Sequence, residues 1–119
     1  MTKDILTPTL EIKIDEKIYT LEYNNKAYVQ IEEKLNCGIL EIYNKLNGTK
    51  LKLTEYQEVL YVGLAKHHSK EEIAEVKKVL ENTTWKLMSN LTIICKAFYL
   101  PLMQPDLTNT RNNNDVKKK

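Results

Sequence analysis

Glycine is scarce in this chain. Gly38, Gly48 and Gly63 are the only three and lie far apart, so no glycine-rich loop of the kind that cradles phosphate can be assembled. Arginine is scarcer: Arg111 is the single one among 18 basic residues, which removes from the body of the chain the forked side chain best suited to phosphate and base edges. There are two cysteines, Cys37 and Cys95, with neither CxxC spacing nor the density of a disulfide scaffold, so both read as reduced thiols, Cys95 buried. No apolar run approaches the roughly 20 residues that cross a bilayer, so no membrane partner is expected. The start, MTKDILTPTLEIKID, is acidic and alternating where a signal peptide would be basic and then continuously apolar; the expected location is the cytoplasm.

A charge bias is also missing from most of the chain. Of 18 basic and 16 acidic residues, Arg111, Lys117, Lys118, Lys119, Asp106 and Asp115 fall from Asp106 onward, leaving 14 against 14. A neutral body argues against a nucleic-acid partner, since such binding draws on a clustered basic face.

What is present is the material of one core: 119 residues, 42% hydrophobic and 29% charged. The expected fold class is α+β, mainly helical, an N-terminal β-hairpin followed by about five α-helices. Residues 1–8 are expected to be a flexible lead, 9–104 a single domain with its hairpin over 9–23 and helices over 25–100, and 105–119 a disordered polar tail.

The hairpin is read from alternation. Leu10, Ile12 and Ile14 alternate with Glu11 and Lys13, then Tyr19, Leu21 and Tyr23 with Ile18, Thr20 and Glu22, across a three-residue turn Asp15-Glu16-Lys17. Asn24 or Asn25 caps a first helix carrying Ala27, Ile31 and Leu35, and Asn36-Cys37-Gly38 supplies its left-handed stop. A second helix spans Ile39 to Leu46. Thr54-Glu55-Tyr56-Gln57 and Ser69-Lys70-Glu71-Glu72 match the capping box and open a third and fourth helix. Gly63 inside the third costs about 1 kcal/mol relative to alanine, which points to a close approach by another backbone. The fifth, Thr84 to Tyr99, puts Trp85, Leu87, Met88, Leu91, Ile94, Cys95, Phe98 and Tyr99 over half its circumference and is expected to stop before Pro101. Most of that face, Trp85 and Met88 included, reads as core.

Chemistry is sparse. His67 and His68 are adjacent and so point about 100° apart on a helix, unlike the i, i+4 pair that chelates zinc; they read as cations at a helix C-terminus. Glu32-Glu33 and Glu71-Glu72 face apart in lysine-rich surroundings and read as solvated. No catalytic, cofactor-binding or metal-ligating residue is expected. A helix-turn-helix over Thr54 to Glu81 is the alternative reading, weakened because the would-be recognition helix is net acidic. Candidate contacts for a protein partner, or for a second copy, are Ile93, Phe98, Tyr99, Leu100, Leu102 and Met103, which crowd apolar surface at the end of the domain.

Three segments together resemble a family. They are the pair Glu11-Ile12-Lys13-Ile14-Asp15 and Tyr19-Thr20-Leu21, the helix segment Ile31-Glu32-Glu33-Lys34-Leu35, and Leu60-Tyr61-Val62-Gly63-Leu64. Their order is similar to that of the tail assembly chaperones of siphophages and gene transfer agents, over about residues 10 to 100. The resemblance implies a non-enzymatic factor of phage or prophage tail morphogenesis that binds the tape measure protein and helps tail tube protein gather around it. It also implies a longer product made by translational frameshift, for which the Lys117-Lys118-Lys119 codons are the candidate slippery stretch. A structural virion subunit is a further alternative.

Overall fold

Residues 8–103 are described by the computed structural model; the expected lead at 1–8, all but Pro8, and the expected tail at 105–119 lie outside the described residues. Strands β1 (Thr9–Ile14) and β2 (Lys17–Glu22) pair antiparallel, with Leu10 opposite Leu21, Ile12 opposite Tyr19 and Ile14 opposite Lys17. Because Lys17 is already paired, the turn is the two residues Asp15 and Glu16, both left-handed with φ 54 and 67, and not the three expected. That is the geometry whose twist matches the strands it joins. The turn is further held by an ion pair from Asp15 to Lys86. Ile12, Ile14, Tyr19 and Leu21 face the core, continued by Tyr23, while Glu11, Lys13 and Ile18 face out.

Helix α1 (Asn25–Leu35) opens on the Asn24 carboxamide, which accepts from the Ala27 N–H at 2.9 Å, and closes at left-handed Asn36 (φ 53, ψ 52). Helix α2 (Ile39–Asn47) starts after Gly38, which has no side chain to cap with; Glu32 of α1 supplies the acceptor instead, taking the Ile39 N–H at 2.8 Å. Glu32 is therefore a helix cap and not the solvated member of a pair. Helix α3 (Leu53–Leu64) begins earlier than its Thr54 box implies: Glu55 takes the Lys52 N–H at 2.8 Å, and Thr54 sits inside the helix. Helix α4 (Lys70–Asn82) has the expected box, Ser69 Oγ accepting from Glu72 N at 3.1 Å and Glu72 Oε1 from Ser69 N at 3.0 Å.

The expected fifth helix is two, so among the described residues six helices follow the hairpin. Helix α5 (Thr84–Met88) stops at Ser89-Asn90, and α6 (Leu91–Met103) starts afresh. The buried Asn90 carboxamide donates to the Lys86 carbonyl at 2.8 Å and to the Lys13 carbonyl at 3.3 Å. A short polar side chain that competes for backbone groups in this way unseats a helix interior, and here it also ties the break to the outer edge of β1. At the other end α6 runs through Pro101 to Met103. The missing proline N–H removes one intrahelical bond in the last turn only, so the helix is not cut at Leu100 as expected.

The core centres on Tyr23, Tyr28 and Phe98, which join the end of β2 to α1 and α6. Phe98 meets Tyr23 edge-on at 5.5 Å and Tyr28 at 5.3 Å, geometries favoured by the ring quadrupoles. The Tyr28 hydroxyl donates to the Phe98 carbonyl and that of Tyr23 to the Val59 carbonyl, both at 2.7 Å. Gly63 lies against this cluster. A Cβ there would stand 2.4 Å from the Tyr23 ring, so the close approach read from Gly63 is made by an aromatic side chain and not by a backbone.

Candidate functional site: a groove between α2 and α6

Helix α6 holds one charged residue, Lys96, in thirteen, yet it is not enclosed on all sides. Its inner stripe, Ile94, Ala97 and Phe98, is buried; its outer stripe is Thr92, Lys96 and Tyr99, flanked by half-buried Leu91, Ile93, Cys95 and Leu100. A surface helix normally turns charge outward, as α4 does with Glu71, Glu72, Glu75, Lys77, Lys78 and Glu81. Along α6, residues Leu91, Thr92, Cys95, Lys96 and Tyr99 form one wall of a groove of about 370 Å³; Tyr43, Leu46 and Asn47 of α2, with Thr49 beyond it, form the other.

Two interactions between the walls are specific ones. The rings of Tyr43 and Tyr99 sit 5.4 Å apart, tilted by 34°, and Cys95 Sγ lies 3.7 Å from Asn47 Oδ1. Partial burial pushes the Cys95 thiol up from its ordinary value, so it stays protonated at neutral pH and is a weak nucleophile. Cys95 is thus half-buried at the groove and not a core residue.

The six contact candidates do not stay together. Phe98 is fully buried and belongs to the core. Ile93 and Leu102 are half-buried and pack in part against the core, and Leu100 is half-buried. Tyr99, 40% exposed, lines the groove. Met103 lies in the last turn of α6, with its side chain outside the description. The α2 wall was missed: its spacing identified a helix but gave no sign of which element it would face. Trp85 and Met88, read as core, are 65% and 45% exposed, and Leu87 is the residue that α5 buries.

Other polar clusters are satisfied by their own members. His68 Nε2 accepts from the Thr20 N–H at 2.8 Å, which leaves the ring proton on Nδ1, 3.1 Å from Glu72 Oε1. His68 thereby covers the outer edge of β2 and is a strand clamp, not the helix-end cation expected. The half of the pair beside it, His67, sits 2.8 Å from the buried Glu22 carboxylate, with Lys66 at 3.5 Å. A second groove, of about 410 Å³, lies against α1, α3 and α4; there Lys34 pairs with Glu58 at 3.6 Å and Lys77 lies 5.0 Å over the Tyr61 ring. Among the described residues no three His, Cys, Asp or Glu side chains are placed to hold a metal ion, and no helix is long and apolar enough to cross a membrane. No family model, curated protein or solved structure matches the chain.

Proposed function

We propose that this protein is a non-enzymatic binding protein of phage or prophage tail assembly, a tail assembly chaperone that acts in the bacterial cytoplasm and holds an apolar segment of the tape measure protein in the α2/α6 groove. The family comes from the resemblance of three sequence segments. The site comes from one observation: α6 carries a single charge, yet leaves Tyr99 and the flanks of its outer stripe open beside a groove walled by Tyr43 and Leu46. Apolar surface left open next to a concavity is what a partner covers. The polar groups elsewhere support the same reading, since the histidines and the carboxylates of Glu22, Glu32 and Glu72 are occupied in clamps and caps.

The test is co-expression with a tape measure protein from the same genome, whose gene this reading expects directly downstream. The chaperone reading expects the two to co-purify and the tape measure to stay in the supernatant only when this chain is present. A tape measure equally soluble without it, or this chain retained in finished particles, would remove the chaperone and favour a structural virion subunit.

A further inference from the structure

We infer that the occupant of the α2/α6 groove is an α-helical segment that sets a pair of large apolar side chains into it and turns a carboxylate toward Lys96; this rests on the binding reading above and names the chemistry of the partner. Three observations carry it. The first is what the walls are made of. Both are helices whose backbone groups are used internally, down to the end of α2, where Gly48 N–H bonds Asn44 O at 3.0 Å and Lys50 N–H bonds Lys45 O at 2.7 Å. An extended segment would find no row of backbone partners there and would press its own unpaired N–H and C=O groups against apolar side chains. A helix arrives with those groups already bonded.

The second observation is size. At about 370 Å³ the groove is at the lower end of ligand clefts, roughly 300–1,000 Å³. It takes side chains, not a whole chain, and the α6 wall repeats at one-turn spacing through Leu91, Cys95 and Tyr99. Side chains four residues apart on a partner helix have the same repeat.

The third is charge. Among the described residues Lys96 is the only charged one lining the groove, no acid lines it, and none of their ion pairs uses Lys96. The second groove, by contrast, already holds both signs. A carboxylate on the partner helix is therefore attracted and an ammonium repelled.

The experiment uses the full chain and three labelled synthetic peptides followed by fluorescence anisotropy. Two are helical, with leucines four residues apart, and differ only in Glu or Lys one turn from the leucines; the third is the Glu peptide with a central proline. The Glu peptide is expected to bind about three- to tenfold more tightly than the Lys peptide, the span of one partly exposed charge pair turned from attractive to repulsive. In Lys96→Glu, an exposed position that leaves folding intact, the order should invert, and the proline peptide should lose binding. Equal binding of the proline peptide, or an unchanged order in Lys96→Glu, overturns the inference. So does peptide binding that appears only after residues 104–119 are removed, or that weakens as protein concentration rises, since the groove then belongs to the chain's own end or to a second copy. Co-purification with the tape measure protein alongside a failed peptide series would leave the proposed function standing and sink this inference alone.

Discussion

Gly63→Ala should destabilise the protein although it improves the helix. Considered locally, alanine in the interior of α3 gains about 1 kcal/mol over glycine. In the fold, the new Cβ would meet Cζ and Oη of Tyr23 at 2.4 Å and Cε1 at 2.9 Å, where non-bonded carbons prefer about 3.5–4.0 Å. Tyr23 cannot yield cheaply: it is fully buried, packed against Tyr28 and Phe98, and its hydroxyl donates to Val59 O. Overpacking costs about 1–3 kcal/mol and a stranded buried hydroxyl about 1–3 more. Against the propensity gain, the net loss is about 1–5 kcal/mol, or about 5–25 °C in Tm for a domain of this size. The assay is a urea denaturation series of wild type, Gly63→Ala, Tyr23→Leu and the double variant. Gly63→Ala should be harmful alone and neutral or helpful once the ring is gone, a coupling of opposite sign to the single effect. A Gly63→Ala protein more stable than wild type would refute the packing argument.

Burial and backbone geometry set three further outcomes. Tyr56→Phe should stabilise by about 0.5–1.5 kcal/mol, read as a higher denaturant midpoint at unchanged slope, because the Tyr56 hydroxyl is buried without a hydrogen-bond partner among the described residues; a lower midpoint would contradict this. Glu16→Gly should stabilise by about 0.5 kcal/mol, since Glu16 holds φ 67 in the hairpin turn and the relief of that strain slightly exceeds glycine's entropy cost; a lower Tm would contradict it. Burial raises the Tyr23 and Tyr28 hydroxyls above the ordinary phenol value, and burial with Glu58 and Glu81 pushes Tyr61 up to about 12. The folded state therefore keeps protons that the unfolded chain releases near 10, so this stability is complete below that pH and is lost as pH climbs toward 12 and beyond. Phenolate absorbance and circular dichroism should show late tyrosines ionising together with unfolding; all tyrosines titrating near 10 in a folded protein would contradict it.

Elements governed by neighbours in sequence were legible, and those governed by distant partners were not. The Asn24 and Ser69 caps and the Asn36 stop depend on residues within four positions, and the hairpin on alternation either side of a short turn; all appear. Thr54 failed as a cap because Glu55 found an earlier backbone amide, a competition between two overlapping local signals. The break in the last long helix depends on Asn90 reaching Lys13, 77 residues away, and no helical periodicity records that. Half of the groove was visible for the same reason. The α6 stripe through Tyr99 repeats at helical spacing, whereas Tyr43 and Asn47 join it only by tertiary packing. Phe98 was misplaced because an apolar helix end looks alike in sequence whether it faces a core or a partner; Tyr28 settles it by bonding to the Phe98 carbonyl.

Tyr99 in the groove and Trp85 on α5 are the two aromatic side chains among the exposed large hydrophobics of the described residues, and a single titration with the proposed partner separates them. The full chain, Tyr99→Lys and Trp85→Ser would each be titrated calorimetrically with the purified tape measure protein. The account predicts that Tyr99→Lys weakens binding by about 30-fold, the loss of one aromatic anchor worth about 2 kcal/mol, while Trp85→Ser binds as wild type does. Unchanged binding by Tyr99→Lys, with loss in Trp85→Ser, would move the contact to α5 and contradict the assignment of the groove.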